Sequence, residues 1–165
     1  MKIAPANMAK ASTFAMPVSY KHVLEISHMI KGKEVAKAAK MLEEVVALKR
    51  PVPFRKYNHG GVGQKRGIGT GRYPEKAAGQ VLRLLLSVEA NAKNKGLSTE
   101  GLIIHRICPQ KAPKAWHYGR QSRRRMKRSD LQIVLIEKSK DAKASEKTAA
   151  KAKAKEKSKT GEGKK

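Results

Sequence analysis

Two stretches of this chain concentrate the side chains that could do chemistry, and in both the chemistry is that of a polyanion's partner. From Cys108 to Asp130 the sequence runs CPQKAPKAWHYGRQSRRRMKRSD. Lys111, Lys114, Arg120, Arg123, Arg124, Arg125, Lys127 and Arg128 stand there against a single acid, Asp130, around the only Trp. Such cations neutralise phosphates, and the planar Arg fork grips phosphate oxygens in pairs. Trp116, His117 and Tyr118 add ring faces on which unstacked bases can lie. Plainer readings are a solvated charged loop, or a nuclear-type basic signal in Arg123–Arg128. Aromatics inside the run and the basic character of the whole chain favour nucleic acid.

The second stretch, Pro51 to Tyr73, reads PVPFRKYNHGGVGQKRGIGTGRY. Six glycines lie between Gly60 and Gly71, interleaved with Lys65, Arg66 and Arg72. Glycine lets a backbone approach a phosphate chain closely. The pattern fails as a nucleotide loop. No Lys-Ser or Lys-Thr follows a last Gly, and Arg72 stands where a dinucleotide fingerprint needs its third Gly. A loop lying on RNA is the favoured reading, with a flexible linker as the alternative. Catalytic signals are weak. His22, His28, His59, His105 and His117 show no metal-ligand spacing. Cys108, beside Pro109 at a strand end, reads as a packed thiol. Glu43 and Glu44 are neighbours, which on a helix point about 100° apart and cannot share a site. His105 and Arg106 fall on a strand, where one of them must face away from the buried side.

Whole-chain properties agree. The 165 residues hold 38 Lys and Arg against 13 Asp and Glu, a net charge of +25. That length suits one domain with appendages. A chain so basic repels itself unless it meets a polyanion. One Cys excludes an intrachain disulfide and a Cys-based zinc module. No apolar run approaches the ~20 residues of a membrane-spanning helix. Lys138 to Lys165 holds 11 of the Lys, with nothing apolar larger than Ala; such a segment cannot offset its ordering entropy and reads as a disordered basic tail. The first 137 residues still carry +18. Met1 to Ser12 lacks the apolar stretch of a secretory signal, and lacks the Arg of a transit peptide.

Periodicity supplies the elements that must position these residues. Helices are predicted from Ser19, as N-cap, to Ile30 with Gly32 as the stop, and over Lys33–Lys49 with Val35, Ala38, Leu42, Val45 and Val46 on one face and Pro51 ending it. A third starts at Pro74 with Glu75 in its first turn. Its apolar face is Ala77, Val81, Leu84, Leu85, Val88 and Ala92, and Gly96 closes it. Leu102–Ile107 and Leu131–Ile136 read as strands, with a third about Thr13 to Val18, where Pro17 favours an edge. The 23 residues between the two later strands are too many for a structureless loop. If the arms of that segment continue the strands, each side runs roughly 11 residues, or about 35 Å.

Several motifs also occur together in one known family. Val52 to Asn58 (VPFRKYN), Gly60 to Gly63, Gly71-Arg72-Tyr73-Pro74, Ser87 to Ala92 (SVEANA) and Lys111 to Lys114 appear in order. From about Ala11 to Lys138 the chain resembles the universal large-subunit ribosomal protein twenty-two family, in its archaeal and eukaryotic form, called seventeen in eukaryotes. The resemblance implies three helices, a three-stranded sheet and a long β-hairpin. It implies a globular part on 23S-type ribosomal RNA near the exit of the peptide tunnel, with the hairpin helping to form the tunnel wall. Ser19-Tyr20-Lys21 resembles the family's helix start, a helix N-terminus suited to phosphate. Gly119-Arg120 matches the Gly-Arg of the hairpin. The arm between Lys114 and Gly119 is shorter than in eukaryotic relatives, and Arg123–Arg128 is more basic.

The resulting expectation is an α+β fold of three helices against a small three-stranded antiparallel sheet with one long extended β-hairpin. Residues 1–12 form an N-terminal extension, 13–137 the RNA-binding domain with its arm at about 108–130, and 138–165 the tail. The resemblance implies a structural constituent of the large ribosomal subunit, cytoplasmic, with no catalysis, cofactor, metal or membrane expected. Its partners are 23S-type ribosomal RNA, neighbouring large-subunit proteins and the nascent peptide in the tunnel. RNA contacts are expected at Ser19, Tyr20, Lys21, Arg55, Lys56, Tyr57, Lys65, Arg66, Arg72 and the cations and aromatics of the arm. A DNA-compacting protein is the rival from another class; it needs no aromatic-bearing insert in a hairpin. An enzyme acting on RNA would need a cofactor motif or an acid/base pair, and neither is present.

Overall fold

The computed structural model describes residues 7–60 and 62–137. The expected basic tail and the first six residues of the expected extension lie outside them. Strand β1 (Met8–Met16) leads into helices α1 (Tyr20–Ile30) and α2 (Val35–Val46). Short strands β2 (Val52–Pro53), β3 (Gly63–Lys65) and β4 (Gly69–Arg72) follow, then α3 (Glu75–Asn94) and the long strands β5 (Leu102–Lys111) and β6 (Ser129–Glu137). The main sheet is antiparallel in the order β1-β6-β5, with the three helices on one face. This is the expected α+β architecture. No helix among the described residues is long and apolar enough to cross a membrane.

Alternation and helical period build the core. Leu102, Ile104, Ile107, Leu131, Ile133 and Leu135 turn inward from β5 and β6, against Val23, Ile26 and Ile30 of α1 and Val81, Leu85 and Val88 of α3. Every residue of the predicted α3 face is buried, and Gly96 (φ +71°) ends the helix. There the Leu97 amide donates to Ala92 and the Gly96 amide to Lys93, the paired bonds of a left-handed helix stop. Helix α2 departs from expectation at its end. It closes at Val46, before Pro51 acts, through the same two bonds: Lys49 N–H to Glu44 and Leu48 N–H to Val45. Leu48 takes the left-handed position at φ +60°, which disfavours a residue with a Cβ. Val46 is exposed and Met41 buried instead, because Val46 lies about 100° around the helix from Val45 and falls off the stripe.

The first strand begins at Met8, well before Thr13, so residues 8–12 are part of the sheet. Its inward residues there are Ala9 and Ala11, too small to give a strand signature. It occupies the expected edge, and Pro17 falls just past its end. His105 and Arg106 are both exposed, contrary to the one-in, one-out expectation. The register slips between Ile104 and Arg106, which makes His105 the extra residue of a bulge.

The glycine-rich stretch is more ordered than a loop: β2, β4 and β3 form a second small antiparallel sheet. Its ladders are backbone bonds between residues with little to bury, so no hydrophobic period announces it. Gly71 suits the tight passage of β4 between its neighbours. A Cβ there would stand 3.1 Å from Lys65 Cγ and 3.2 Å from Pro51 Cβ.

Candidate nucleic-acid interface

Helix α1 starts where the main sheet, the second sheet and the hairpin meet. Ser19 is its N-cap, though its hydroxyl makes no capping bond; its carbonyl accepts from the His22 and Val23 amides. In front of this helix end lies a groove of about 460 Å³. It is lined by Ser19, Tyr20, Lys21 and His22 from α1, Tyr57, Arg72 from β4, Lys111 and Lys114 from one side of the hairpin, and Lys127 and Arg128 from the other. No acidic side chain lines it. Among the described residues the Lys and Arg ion pairs, Arg50–Glu44 and Lys93–Glu89, lie elsewhere.

The cations rest on rings. Lys21 Nζ sits 5.1 Å from the centre of Tyr57, Lys111 Nζ 5.7 Å from Tyr20, and the Arg72 guanidinium 5.6 Å from Phe54. Arg72 also donates to the Gly60 carbonyl at 2.8 Å, while its Nε is buried without a partner. A concave, unneutralised positive surface at a helix N-terminus is chemically a phosphate cradle.

Two residues that sequence reasoning passed over complete the site. Glu25 is buried in α1, and its carboxylate accepts from the Arg55 amide at 3.2 Å and the Lys56 amide at 3.0 Å. It thereby holds the segment that carries Arg55, Lys56 and Tyr57 beside the helix. His22 packs edge-on against Phe54, ring centres 5.6 Å apart, and also lines a smaller pocket with Lys21, Phe54, Tyr57, His59 and Arg72. A helical Glu or a lone His carries no such signal until its tertiary neighbours are known.

Burial, then Arg72, then Lys127, hold the His22 imidazolium below the ordinary histidine range. The folded state therefore binds this proton less readily than the unfolded chain. Stability from this group is whole above the ordinary value of about 6.5 and declines as pH falls from there towards the lowered value. We expect thermal unfolding of His22→Gln to lose less Tm between pH 8 and pH 5 than the wild type does. Identical acid-side slopes for the two proteins would remove His22 as the source.

Beyond the groove the hairpin continues less regularly than two ladders of about 11 residues. Pairing is continuous to Lys111–Ser129, then resumes only at Trp116–Arg125. Pro113 has no N–H to donate, and the arm has little apolar surface to bury. The His117 amide donates to Arg124 and the Met126 amide to Ala115, both at 2.8 Å, and a 3-10 turn at Gly119–Gln121 forms the tip. Trp116 and Tyr118 are exposed, and the Arg125 guanidinium lies 4.1 Å from the Trp116 ring centre. His117, Arg120, Arg123 and Arg124 are exposed along the arm, outside the groove. Arg55 and Lys56 are exposed beside Tyr57, Arg66 is exposed in the β3–β4 turn, and Lys65 lies 5.5 Å over the Tyr73 ring. The fold thus gathers nine of the predicted residues into one groove, and spreads the rest along the arm and second sheet.

Comparison with known proteins is consistent along most of the chain. The family described as Ribosomal protein L22p/L17e matches residues 11–137. The large ribosomal subunit protein uL22 of Staphylothermus marinus is 42% identical over 143 residues, spanning 80% of this chain and 90% of that one. Its namesake from Archaeoglobus fulgidus is 45% identical over 106 residues, 62% of this chain and 68% of the relative. That of Methanocaldococcus jannaschii is 37% identical over 147 residues, 83% and 92% of the two chains.

Proposed function

This chain belongs to the ribosomal protein L22p/L17e family, in its archaeal and eukaryotic form, and from that premise we propose how it works in the large ribosomal subunit. It is a structural, non-catalytic protein that binds the subunit's RNA. The acid-free cationic groove at the root of the hairpin is the observation that carries the reading. Ribosomal RNA phosphates enter the groove, where α1 presents amides and Arg72, Lys111, Lys114, Lys127 and Arg128 neutralise charge. Arg55, Lys56, Lys65 and Arg66 extend the contact over the second sheet.

The globular part sits on 23S-type RNA near the opening of the peptide exit tunnel, and the arm runs inward to line the tunnel wall. Trp116, His117, Tyr118, Arg120, Arg123, Arg124 and Arg125 meet RNA there, and the tip faces the nascent peptide. Three features support this reading: the family resemblance, the exposed arm, and a hairpin whose cations need surrounding negative charge to lie together. Neighbouring large-subunit proteins complete the cytoplasmic particle. The RNA-binding unit is residues 8–137, with the Lys/Ala-rich tail from 138 adding loose RNA contact.

Sedimentation of cell extract on sucrose gradients tests the assignment, with a photo-crosslinker at Tyr118 and a stalled nascent chain on the same ribosomes. We expect the protein to follow the large subunit at low and moderately high salt, and Tyr118 to capture the nascent peptide. Adducts to RNA alone would sink the tunnel placement. A protein spread through free and nucleoid fractions would sink the ribosomal one in favour of DNA compaction.

A further inference from the structure

The helix-free face of the main sheet is not used by the groove or the arm. Its side chains form cross-strand rows. Met8, Ile136 and Ile103 make an apolar row at one end; Lys10, Val134 and Arg106 the next; Ser12, Gln132 and Cys108 the third; Gln110 and Asp130 pair in the fourth. Phe14 joins this last row from a distorted stretch of β1, where the register slips between Thr13 and Met16.

The distortion is held from both sides. Ala15 adopts φ +53°, a left-handed conformation unfavourable for alanine. Its amide donates to Asp130 Oδ1 at 2.6 Å, and its carbonyl accepts from Arg128 Nη1 at 3.1 Å. Such local strain persists only where surrounding contacts over-determine it, and it clusters at functional positions. Phe14 follows Lys10 and Ser12 onto this face by strand alternation, with 76% of its surface exposed, and the slip after it turns Met16 inward. Beside the ring is a shallow pocket of about 140 Å³, lined among others by Ser12, Gln110, Asp130 and Gln132.

The chemistry of this patch differs from that of the groove. No cation lines the pocket, and the one carboxylate already serves the Ala15 amide, so a phosphate is not its ligand. One aromatic face among hydroxyls and carboxamides suits a flat group with hydrogen-bonding edges. Cations stand on both sides: Lys10 and Arg106 in the row beyond Ser12 and Cys108, and Arg128, which reaches Ala15 and also lines the groove. The rows of Ser12 and Lys10 separate Phe14 from the apolar row at the far end of the face, so the ring is not part of the contiguous apolar patch that a protein partner favours.

We propose that this sheet face is a nucleobase platform: an unpaired base of the bound RNA stacks on Phe14, its edge is read by Gln110 and Gln132, and its flanking phosphates meet Lys10 and Arg106. Antiparallel sheets elsewhere use exposed aromatics in this way. The platform rests on the RNA-binding reading above and adds to it a contact that is not electrostatic.

The test uses full-length protein and in-vitro-transcribed 23S-type ribosomal RNA. Phe14→Leu keeps apolar bulk and removes the ring, and Phe14→Tyr keeps the ring. The side chain is exposed, so both variants should fold. We expect Phe14→Leu to weaken binding roughly tenfold, within the range of one base–aromatic stack, with an unchanged salt slope, while Phe14→Tyr binds as the wild type does. Irradiation at 254 nm should give a nucleotide adduct on Phe14. Wild-type affinity for Phe14→Leu, or Phe14 adducts only to a neighbouring protein in assembled subunits, would overturn the platform and leave RNA binding standing. If the wild type itself fails to bind the RNA, the underlying reading falls and takes the platform with it.

Discussion

Replacing Lys111, Lys114 and Lys127 together by Ala is expected to weaken binding to the ribosomal RNA roughly a hundredfold at about 0.1 M salt, and to flatten its salt dependence. The three ammonium groups come from opposite sides of the hairpin root and face one acid-free groove. Each phosphate neutralised contributes about 0.7 to the log–log salt slope on single-stranded RNA and about 0.9 on a duplex, so the triple variant should lose roughly 2 to 3. All three residues are exposed, so unfolding should not confound the result. Lys111 does lie over Tyr20, but an exposed pair of that kind is worth only about 0.5–1 kcal/mol. Filter binding between about 50 and 400 mM KCl measures both quantities. A triple variant with the wild-type slope would show that phosphates do not occupy the groove, whatever its affinity. The contrast with Phe14→Leu is informative, since that variant should lose affinity at constant slope.

Charge made the individual contact candidates legible from sequence, but not their assembly. Lys111, Lys114, Lys127 and Arg128 stand out because they lie in one basic run, and Arg72 because it sits among glycines. That these meet Ser19, Tyr20 and Lys21 in a single groove depends on where α1 begins relative to the hairpin root, which no local pattern encodes. The α3 face was legible because six apolar residues repeat at helical spacing and all are buried. The second sheet was not, since Gly63–Lys65 and Gly69–Arg72 pair through their backbones and carry almost no alternating side chains. The N-terminal half of β1 failed for a related reason: Ala9 is fully buried, yet alanine favours helices over strands and gives no strand signature. Phe14 looked like an ordinary strand residue. Alternation puts it on the face away from the helices with Lys10 and Ser12, and only the fold shows that no element among the described residues covers that ring.

Glu25 shows the same limit with a larger energetic consequence. Sequence gives it no distinction: it is a charged residue on an amphipathic helix, where the usual fate is solvent. In the fold it is 1% exposed, and a carboxylate so buried must be satisfied or costs several kcal/mol. Its hydrogen-bond partners are two consecutive backbone amides, Arg55 and Lys56, in the segment just after β2, and His28 Nδ1 stands 3.9 Å from the carboxylate. Removing the acceptor leaves both donors without it in a partly buried place. With charge-assisted bonds worth about 1.5–3 kcal/mol each, and some return from no longer burying a charge, Glu25→Ala should lose about 3–4 kcal/mol of stability. Urea unfolding measures this as a fall in midpoint at constant m. Glu25→Gln keeps one carbonyl acceptor and should fall between the two. A loss below about 1 kcal/mol for Glu25→Ala would mean that the amides find other partners and that the carboxylate does not hold the segment. The interface provides an independent readout. Tyr57 is carried by the held segment and supplies the ring under Lys21, so a temperature at which the variant stays folded should still show weaker RNA binding. An unaltered affinity there would separate the stability of the core from the organisation of the groove.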